Sequence, residues 1–497
     1  MPSRRVDGNL TVHSVKPSTL SVGEVVSGGF CVGCGGCSVA SNGAIAMQRN
    51  REQTFQPRLS DSPGADDASG NSAVCPFTGL GPDESAIANS LYDGTGCHSD
   101  ERTGYHRSLY AGRIADTKTV LDSSSGGLTS WLLAELLQRG MVDGVIHVGS
   151  GDGGDDDALF AYRVSDNVAD LHGRKKSQYY SISFADVLLS IRGNGKRYAF
   201  VGVPCFVKAR RLLQAQDAEL AEQIAFTVGL VCGHLKSGAF AEVMAHQVGV
   251  RKQALDTVDF RLKNSNAPAN AYDFGARDRL GGWHSTMSRT LLGGNWGHAL
   301  FQLKACDFCD DIFAETADIC FGDAWLPQYE SEWRGTNVVL CRSQQLQPLL
   351  EDGLARGAIV MDAITVADAV QSQAGNFRHR REGLSLRLED AMARGEKVPR
   401  KRVRPGSVKL PALRRAIVRK RQEMAAASHV LYREARDRTE ADLSSFFPAM
   451  QRYVAEMDAL YRCEDNRRVR TILRRALRAP RALWRRAQDT AARRLSR

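Results

Sequence analysis

The chain has 497 residues, 43% hydrophobic and 25% charged, a balance that excludes a disordered or fibrous protein and leaves room for two or three domains with real cores. Its net charge of +10 is uneven: residues 467–497 carry twelve arginines and one acid, so the main body is close to neutral and a specific nucleic-acid-binding face on it is excluded. No window approaches the roughly 18 continuous apolar residues of a membrane span. The start, Met1 to Leu10, has Arg4, Arg5 and Asp7 and no apolar stretch of a secretory signal. The expectation is a cytoplasmic protein whose twelve cysteines serve metal or redox chemistry rather than disulfides.

Residues 1–80 are rich in Gly, Ser and Asp, with a loop by composition at 60–71. They contain Cys31-x2-Cys34-x2-Cys37 and, further on, Cys75 followed by Pro76. Three cysteines at three-residue steps set three thiolates around one cubane, and a distant Cys-Pro supplies the fourth because proline turns the chain away. Zinc usually takes two C-x2-C pairs or a Cys/His mixture. The spacing therefore favours a [4Fe-4S] cluster, standing in for a core the segment lacks.

From about 108 to 260 strands and helices alternate. Leu128, Trp131, Leu132 and Leu136 recur at helical spacing, closed by Gly140. A strand over 142–148, a helix from a Ser183 cap to Ile191, and a strand over 198–203 follow. A helix over 207–214, a strand over 224–231 and a helix over 237–247 come next. This predicts an α/β fold with a largely parallel or mixed sheet covered on both faces. Cys205 and Cys232 then each fall in a loop just past the carboxyl end of a strand. Open α/β sheets bind ligands at that edge, and neighbouring strands lie only about 4.8 Å apart. Together with the pair Cys306-x2-Cys309 they form a second set of four thiols. Cys320 is the rival fourth ligand, but its apolar neighbours mark it as a buried strand thiol. Cys97, Cys341 and Cys463 have no companions and are structural or free.

Ser123-Ser-Ser-Gly-Gly127 precedes the Leu128 helix. Small residues there let backbone N–H groups approach a phosphate, and equally suit an ordinary capped loop. Residues 174–179 (RKKSQY) read either as a clasp for a flat phosphorylated cofactor or as a basic surface loop. The acidic loop of Asp152, Asp155, Asp156 and Asp157 lacks the spaced ligands and closing glutamate of a calcium loop and reads as solvated. His234 and His298 are candidates for donating protons near a site, His234 to a substrate, although a lone histidine more often satisfies local hydrogen bonds. Beyond 376 the chain is helical and basic. Val469, Ile472, Leu473, Ala476 and Leu477, resumed after Pro480 by Leu483 and Trp484, read as a peripheral membrane helix, a partner-docking helix or a solvated face.

In order, the motifs CxxCxxC…CP, SSSGGLTSWLL, KKSQYYS, FVGVPC, GLVCGH, ACDFCDD and ADICFGDAW with GTNVVL span about residues 25–345. This series resembles the beta-subunit family of coenzyme F420 hydrogenases and dehydrogenases, iron–sulfur flavoproteins that include plant 7-hydroxymethyl chlorophyll a reductase and bacterial members. The resemblance implies bound FAD. Ser124, Ser125, Gly126 and Gly127 would contact the flavin nucleotide, Lys176, Ser177 and Tyr179 would lie beside it, and Gly335, Thr336 and Asn337 would complete the pocket. Cys205 and Cys232 match family cysteines, which supports the second [4Fe-4S] cluster. The family's usual two-cluster ferredoxin insert is absent, and the tail beyond about 376 inherits nothing.

The domains expected are an iron–sulfur segment (1–80), a flavin-binding N-domain (81–200), a C-domain with the second cluster (201–375) and a helical, arginine-rich tail (376–497). The function expected is an FAD- and iron–sulfur-dependent oxidoreductase acting on a small-molecule substrate or hydride carrier, with coenzyme F420 or a ferredoxin-like protein as redox partner. Two other readings are an electron-transfer subunit without its own substrate and a zinc-stabilised scaffold in a polysaccharide-related system. The tail would make any peripheral contact with the inner membrane face or with a partner.

Overall fold

Short runs of β-branched and aromatic residues, separated by amphipathic helices, build the sheet at the centre of the protein. The computed structural model describes residues 19–60, 71–151, 158–173, 176–438 and 442–467. The acidic loop at 152–157, residues 174–175 and the arginine-rich stretch beyond 467 lie outside them.

In chain order the elements used below start with helices α1 (Val22–Ser27) and α2 (Gly36–Ala40), strand β1 (Ser108–Ile114), helix α3 (Leu128–Gln138) and strands β2 (Gly144–Ser150) and β3 (Phe160–Ser165). Then come α4 (Ala185–Ile191), β4 (Tyr198–Gly202), α5 (Pro204–Gln214), β5 (Ile224–Leu230) and α6 (Ala239–Gln247). Strands β6 (Leu255–Leu262), β7 (Asp273–Asp278), β8 (Trp283–Met287), β9 (Ile319–Asp323), β10 (Asn337–Cys341) and β11 (Ile359–Ala363) follow, and helices α7 (Leu384–Ala393) and α8 (Ala412–Arg438) close the series.

Eight strands form one sheet in the order β11-β1-β10-β9-β5-β4-β2-β3. The four strands β2, β4, β5 and β9 pair in parallel. β3 joins one side antiparallel, and β10, β1 and β11 extend the other antiparallel. The sheet is thus mixed, with parallel pairing confined to its middle. Every residue of β4 and of β10 is buried, so these strands read as continuous apolar runs because both faces are covered. A separate three-stranded antiparallel sheet, β6 to β8, packs on α6 through Phe260 and Phe240, whose rings stack at 5.6 Å and 5°.

Neither end of the described chain stands apart from this core. Val25, Phe30, Val39, Val74 and Phe77 share one apolar cluster with Phe184, Phe200 and Phe206. Leu384 and Leu388 of α7 and Ile417, Met424 and Tyr432 of α8 belong to the same cluster. Among the described residues no helix is long and apolar enough to cross a membrane.

Arg342, just past β10, is 1% exposed. It donates to the carbonyls of Tyr105, Ala314, Ala317, Thr103 and Phe313 at 2.7 to 3.5 Å. One guanidinium thereby satisfies a loop whose backbone would otherwise be buried unpaired. Replacing Arg342 by Leu strands several carbonyls at once, and chemical denaturation is expected to show a loss of roughly 3 kcal/mol or more. A loss below about 1 kcal/mol would mean that water replaces the guanidinium.

Candidate functional site

The first four cysteines converge on one apolar cavity. Cys31 and Cys34 lie on the loop between α1 and α2, Cys37 lies in α2, and Cys75 follows the turn Asn71–Val74. All four line the cavity with Val22, Val25 and Phe77. The loop passes too close to its neighbours for side chains at two points. A Cβ on Gly33 (φ +72°) would stand 2.7 Å from the Phe55 carbonyl oxygen, and one on Gly35 (φ +93°) 2.8 Å from Ala185 Cβ. Ser183 does not cap α4 as expected, because Phe184 occupies the cap position with no side-chain bond; Ser183 Oγ accepts from the Ala185 N–H at 3.2 Å and donates to the Cys34 carbonyl at 3.3 Å, which ties that loop down. Backbone N–H groups point at the sulfurs: Gly33 at Cys31 (3.4 Å), Gly36 at Cys34, and Phe77 and Thr78 at Cys75. Burial pushes the Cys31, Cys34 and Cys75 thiols up, so they ionise when a metal supplies the compensating charge.

The second set gathers at the carboxyl edge of the parallel strands. Cys232 occupies the loop after β5, as expected. Cys205 does not sit in a loop: Pro204 is pre-organised for the first helical position, so α5 begins there and Cys205 falls in its first turn. Cys306 lies in the turn Lys304–Phe308 and Cys309 directly after it. Cys205 is half-buried, and its thiol is pushed well up, by burial first and then by Cys309, Cys232, Cys306 and Cys34. The two sets therefore lie within electrostatic reach of each other through Cys205 and Cys34. Cys306 Sγ accepts from the Leu235 N–H at 3.1 Å, and Cys309 Sγ from Arg380 Nη1 at 2.9 Å.

Elsewhere, Cys320 is fully buried in β9, packed with Ala111, Phe313 and Val338. Cys97 contacts the Arg342 carbonyl, Cys341 contacts the Ser343 carbonyl, and Cys463 is exposed. The two all-thiol sets, partly to fully buried and with N–H or guanidinium donors on sulfur, have the ligand chemistry that iron–sulfur clusters use.

Beside the sheet, a pocket is lined by Ser124, Gly335, Trp333 and Arg334 and, from the three-stranded sheet side, by Arg261, Lys263 and Tyr272. The serine–glycine loop is held against the sheet edge by Asn337, whose Oδ1 accepts from the Leu128 N–H at 3.1 Å and whose Nδ2 donates to the Gly322 carbonyl at 3.0 Å. A Cβ on Gly126 would stand 2.7 Å from the Gly112 carbonyl and 2.9 Å from Asn337 Oδ1. Gly127 carries a positive φ of +80° at the start of α3. Ser125 donates to the Thr336 carbonyl at 3.3 Å, and the Ser177 N–H donates to Ser124 Oγ at 2.7 Å.

The expected flavin residues thus come together in different capacities. Ser124 and Gly335 line the pocket, while Ser125, Gly126, Gly127, Ser177, Thr336 and Asn337 lie behind them and hold their loops in place. Lys176 ion-pairs with Asp259 at 3.0 Å. Tyr179 is packed edge-on to Trp296 (4.7 Å) and Phe260 (5.3 Å).

Three cations of this pocket are absent from the residues that the sequence singles out. Arg261 makes a two-pronged pair with Asp323 at 2.9 and 3.0 Å and lies over the Tyr272 ring at 4.9 Å. Lys263 donates to the carbonyls of Val120, Ser125 and Arg334. Burial, with Lys176 and Arg261 nearby, pulls its pKa down to about 7. Arg334 is the third. The alternation Arg261-x-Lys263 at the end of β6, which puts both on one face, is the signal the sequence offers.

His234 is 5% exposed, stands 4.4 Å from Trp296, and its Nε2 has no hydrogen-bond partner among the described residues. Burial, then Lys236, Arg421 and Arg380, hold it well below its ordinary pKa, so it is neutral. His298 is engaged by Asp458 at 2.9 Å.

Two family models, for the N-terminal and the C-terminal parts of the coenzyme F420 hydrogenase/dehydrogenase beta subunit, match residues 109–189 and residues 195–367 respectively. The coenzyme F420-dependent sulfite reductase of Methanocaldococcus jannaschii is 26% identical over 343 residues, which are 65% of this chain and 46% of that protein. The chain thus spans about half the length of the curated relative it matches. A chain from the F420-reducing [NiFe] hydrogenase complex of Methanosarcina barkeri, solved after xenon derivatization, superposes with a TM-score of 0.45 at 16% identity, covering 59% of this chain and 96% of that one. With both halves of the beta-subunit pattern matched in order, the chain belongs to the coenzyme F420 hydrogenase/dehydrogenase beta-subunit family.

Proposed function

We propose that this protein is an iron–sulfur flavoprotein oxidoreductase, with FAD in the cationic pocket and one [4Fe-4S] cluster on each thiol set. Family membership supports the coarser part of this reading, an F420-related oxidoreductase or electron-transfer subunit. The observation that carries the finer part is continuity. Cys34 and Cys205 bring the two thiol sets within electrostatic reach of each other. From the second set, Gly233 and His234 lead to Trp296, whose Nε1 donates to the Tyr272 hydroxyl of the pocket at 3.3 Å.

When bound, a flavin exchanges a two-electron hydride for single electrons, and clusters carry those electrons one at a time. The chain's own residues supply the binding. Lys263 presents positive charge to an anionic nucleotide, while Arg261 and Arg334 are each held two-pronged by a carboxylate, Asp323 and Glu332, and the glycines let a phosphate approach the backbone. Tyr179 packs edge-on between Phe260 and Trp296 on the side of the pocket that leads to His234. Neutral His234 offers no positive charge there. The redox partner is a hydride carrier such as coenzyme F420 or a ferredoxin-like protein.

Anaerobically purified protein is expected to carry about eight iron and eight sulfide per chain with one FAD, the content of two cubanes and one flavin. Zinc without sulfide or flavin would replace this reading with the scaffold. Cys306→Ser is expected to remove about half of the iron while leaving the flavin in place; unchanged iron would refute the second ligand set.

The pocket also has a pH signature. A lysine held below its ordinary pKa is charged below that value and neutral above it, so Lys263 loses its charge as pH rises through about 7. FAD affinity measured by fluorescence is expected to weaken by about tenfold between about pH 6 and about pH 8, and Lys263→Met to abolish that dependence. An equal slope in the variant would place the titrating group elsewhere.

A further inference from the structure

Arg380 lies beyond the family-matched residues, which end at 367, on the π-helical turn Arg378–Gly383 that leads into α7. It is 1% exposed. Its Nη1 donates to Cys309 Sγ at 2.9 Å and to the Asp311 carbonyl, and its Nη2 donates to the carbonyl of Gly233, next to Cys232, at 3.1 Å. Its Nε is buried with no partner among the described residues. A guanidinium stays charged at any pH a protein meets.

The surroundings leave this charge without a dedicated carboxylate. Arg387 and Lys236 are also 1% exposed. Asp307 is 3.7 Å from Arg387. Asp311 meets Arg380 through its backbone carbonyl, while its carboxylate accepts the Glu315 N–H at 3.1 and 3.2 Å. A buried cation is costly unless something negative faces it. Here the negative group is the thiolate set itself. The first set differs. Lys208 pairs with Glu84 at 3.2 Å, and Arg402 pairs with Glu315 and Asp310. The sulfur contacts there come from backbone N–H groups.

We propose that Arg380 sets the reduction potential of the cluster held by Cys205, Cys232, Cys306 and Cys309, as a fixed cation hydrogen-bonded to a ligand sulfur. The inference rests on the [4Fe-4S] reading of that site. Reduction adds one electron from the flavin, or from dithionite in the test, and makes and breaks no bond. The cluster gains one negative charge, so a fixed cation favours the reduced form, and cluster potentials follow local charge and hydrogen bonds to sulfur. Arg380 is therefore a positioning and tuning residue that makes the second cluster the better electron acceptor.

The test is an anaerobic potentiometric titration of the full holoprotein, followed by EPR and absorbance, with iron and flavin measured on the same samples. Arg380→Gln is expected to make reduction of one cluster at least tenfold less favourable, about 59 mV for a one-electron couple, with the other midpoint unmoved. Arg380→Lys, which keeps the charge, is expected to stay nearer the native midpoint. Unmoved midpoints in a fully loaded Arg380→Gln overturn the proposal alone. Arg380→Lys falling as far as Arg380→Gln overturns it too, as does loss of the second cluster's iron from Arg380→Gln, which would give Arg380 a holding role. Native protein with iron for a single cluster overturns the underlying reading and the inference with it.

Discussion

The parallel pairing of β4 with β5 is the constraint from which the rest of the site follows. Tyr198 to Gly202 run beside Ile224 to Gly229 in one direction, so the chain leaves both strands at the same edge. Cys205 and Cys232 emerge there together. Two further thiols arrive on the turn at Lys304–Phe308 and the residue after it. β9 completes the parallel block beside β5, and the return through β10 carries Asn337 under the serine–glycine loop. One sheet edge thereby fixes a thiol set and a phosphate-sized loop at once, as open α/β sheets commonly do.

Much of this is legible in the chain because ligand spacing and strand–helix alternation are local signals. Cys31, Cys34 and Cys37 announce themselves by their steps, and the alternation locates Cys232 correctly and Cys205 within one helical turn. That last difference arises because apolar periodicity starts α5 later than the proline at its head does. The sheet is mixed because β10 returns after β9, a choice of topology that periodicity does not encode.

What the sequence hides are contacts made across long separations. Arg380 and Cys309 are 71 residues apart, and Lys263 reaches Val120 across 143. Arginine-rich stretches look alike whether they face water or a buried sulfur, so nothing local distinguishes Arg380 from its exposed neighbours. From sequence, the helices beyond 376 read as an appended tail. Their apolar faces are visible there, but only the packed structure reveals that Ile417, Met424 and Tyr432 cover the same core as Phe30.

That packing bears on how the family pattern relates to a working unit. Ser428 on α8 accepts the backbone N–H of Phe301, at 2.8 Å, and Phe446 stacks on the Phe301 ring at 5.6 Å. Phe301, five residues before Cys306, holds a strained left-handed backbone position, φ +57°. A chain ended where the matched pattern ends, at 367, would keep all eight cysteines and lose both the cover over Phe301 and the guanidinium on Cys309. The smallest unit of this protein that keeps its thiol sets enclosed is therefore larger than the family pattern that identifies it. The C-terminal helices serve as lagging over the thiol sets of this chain.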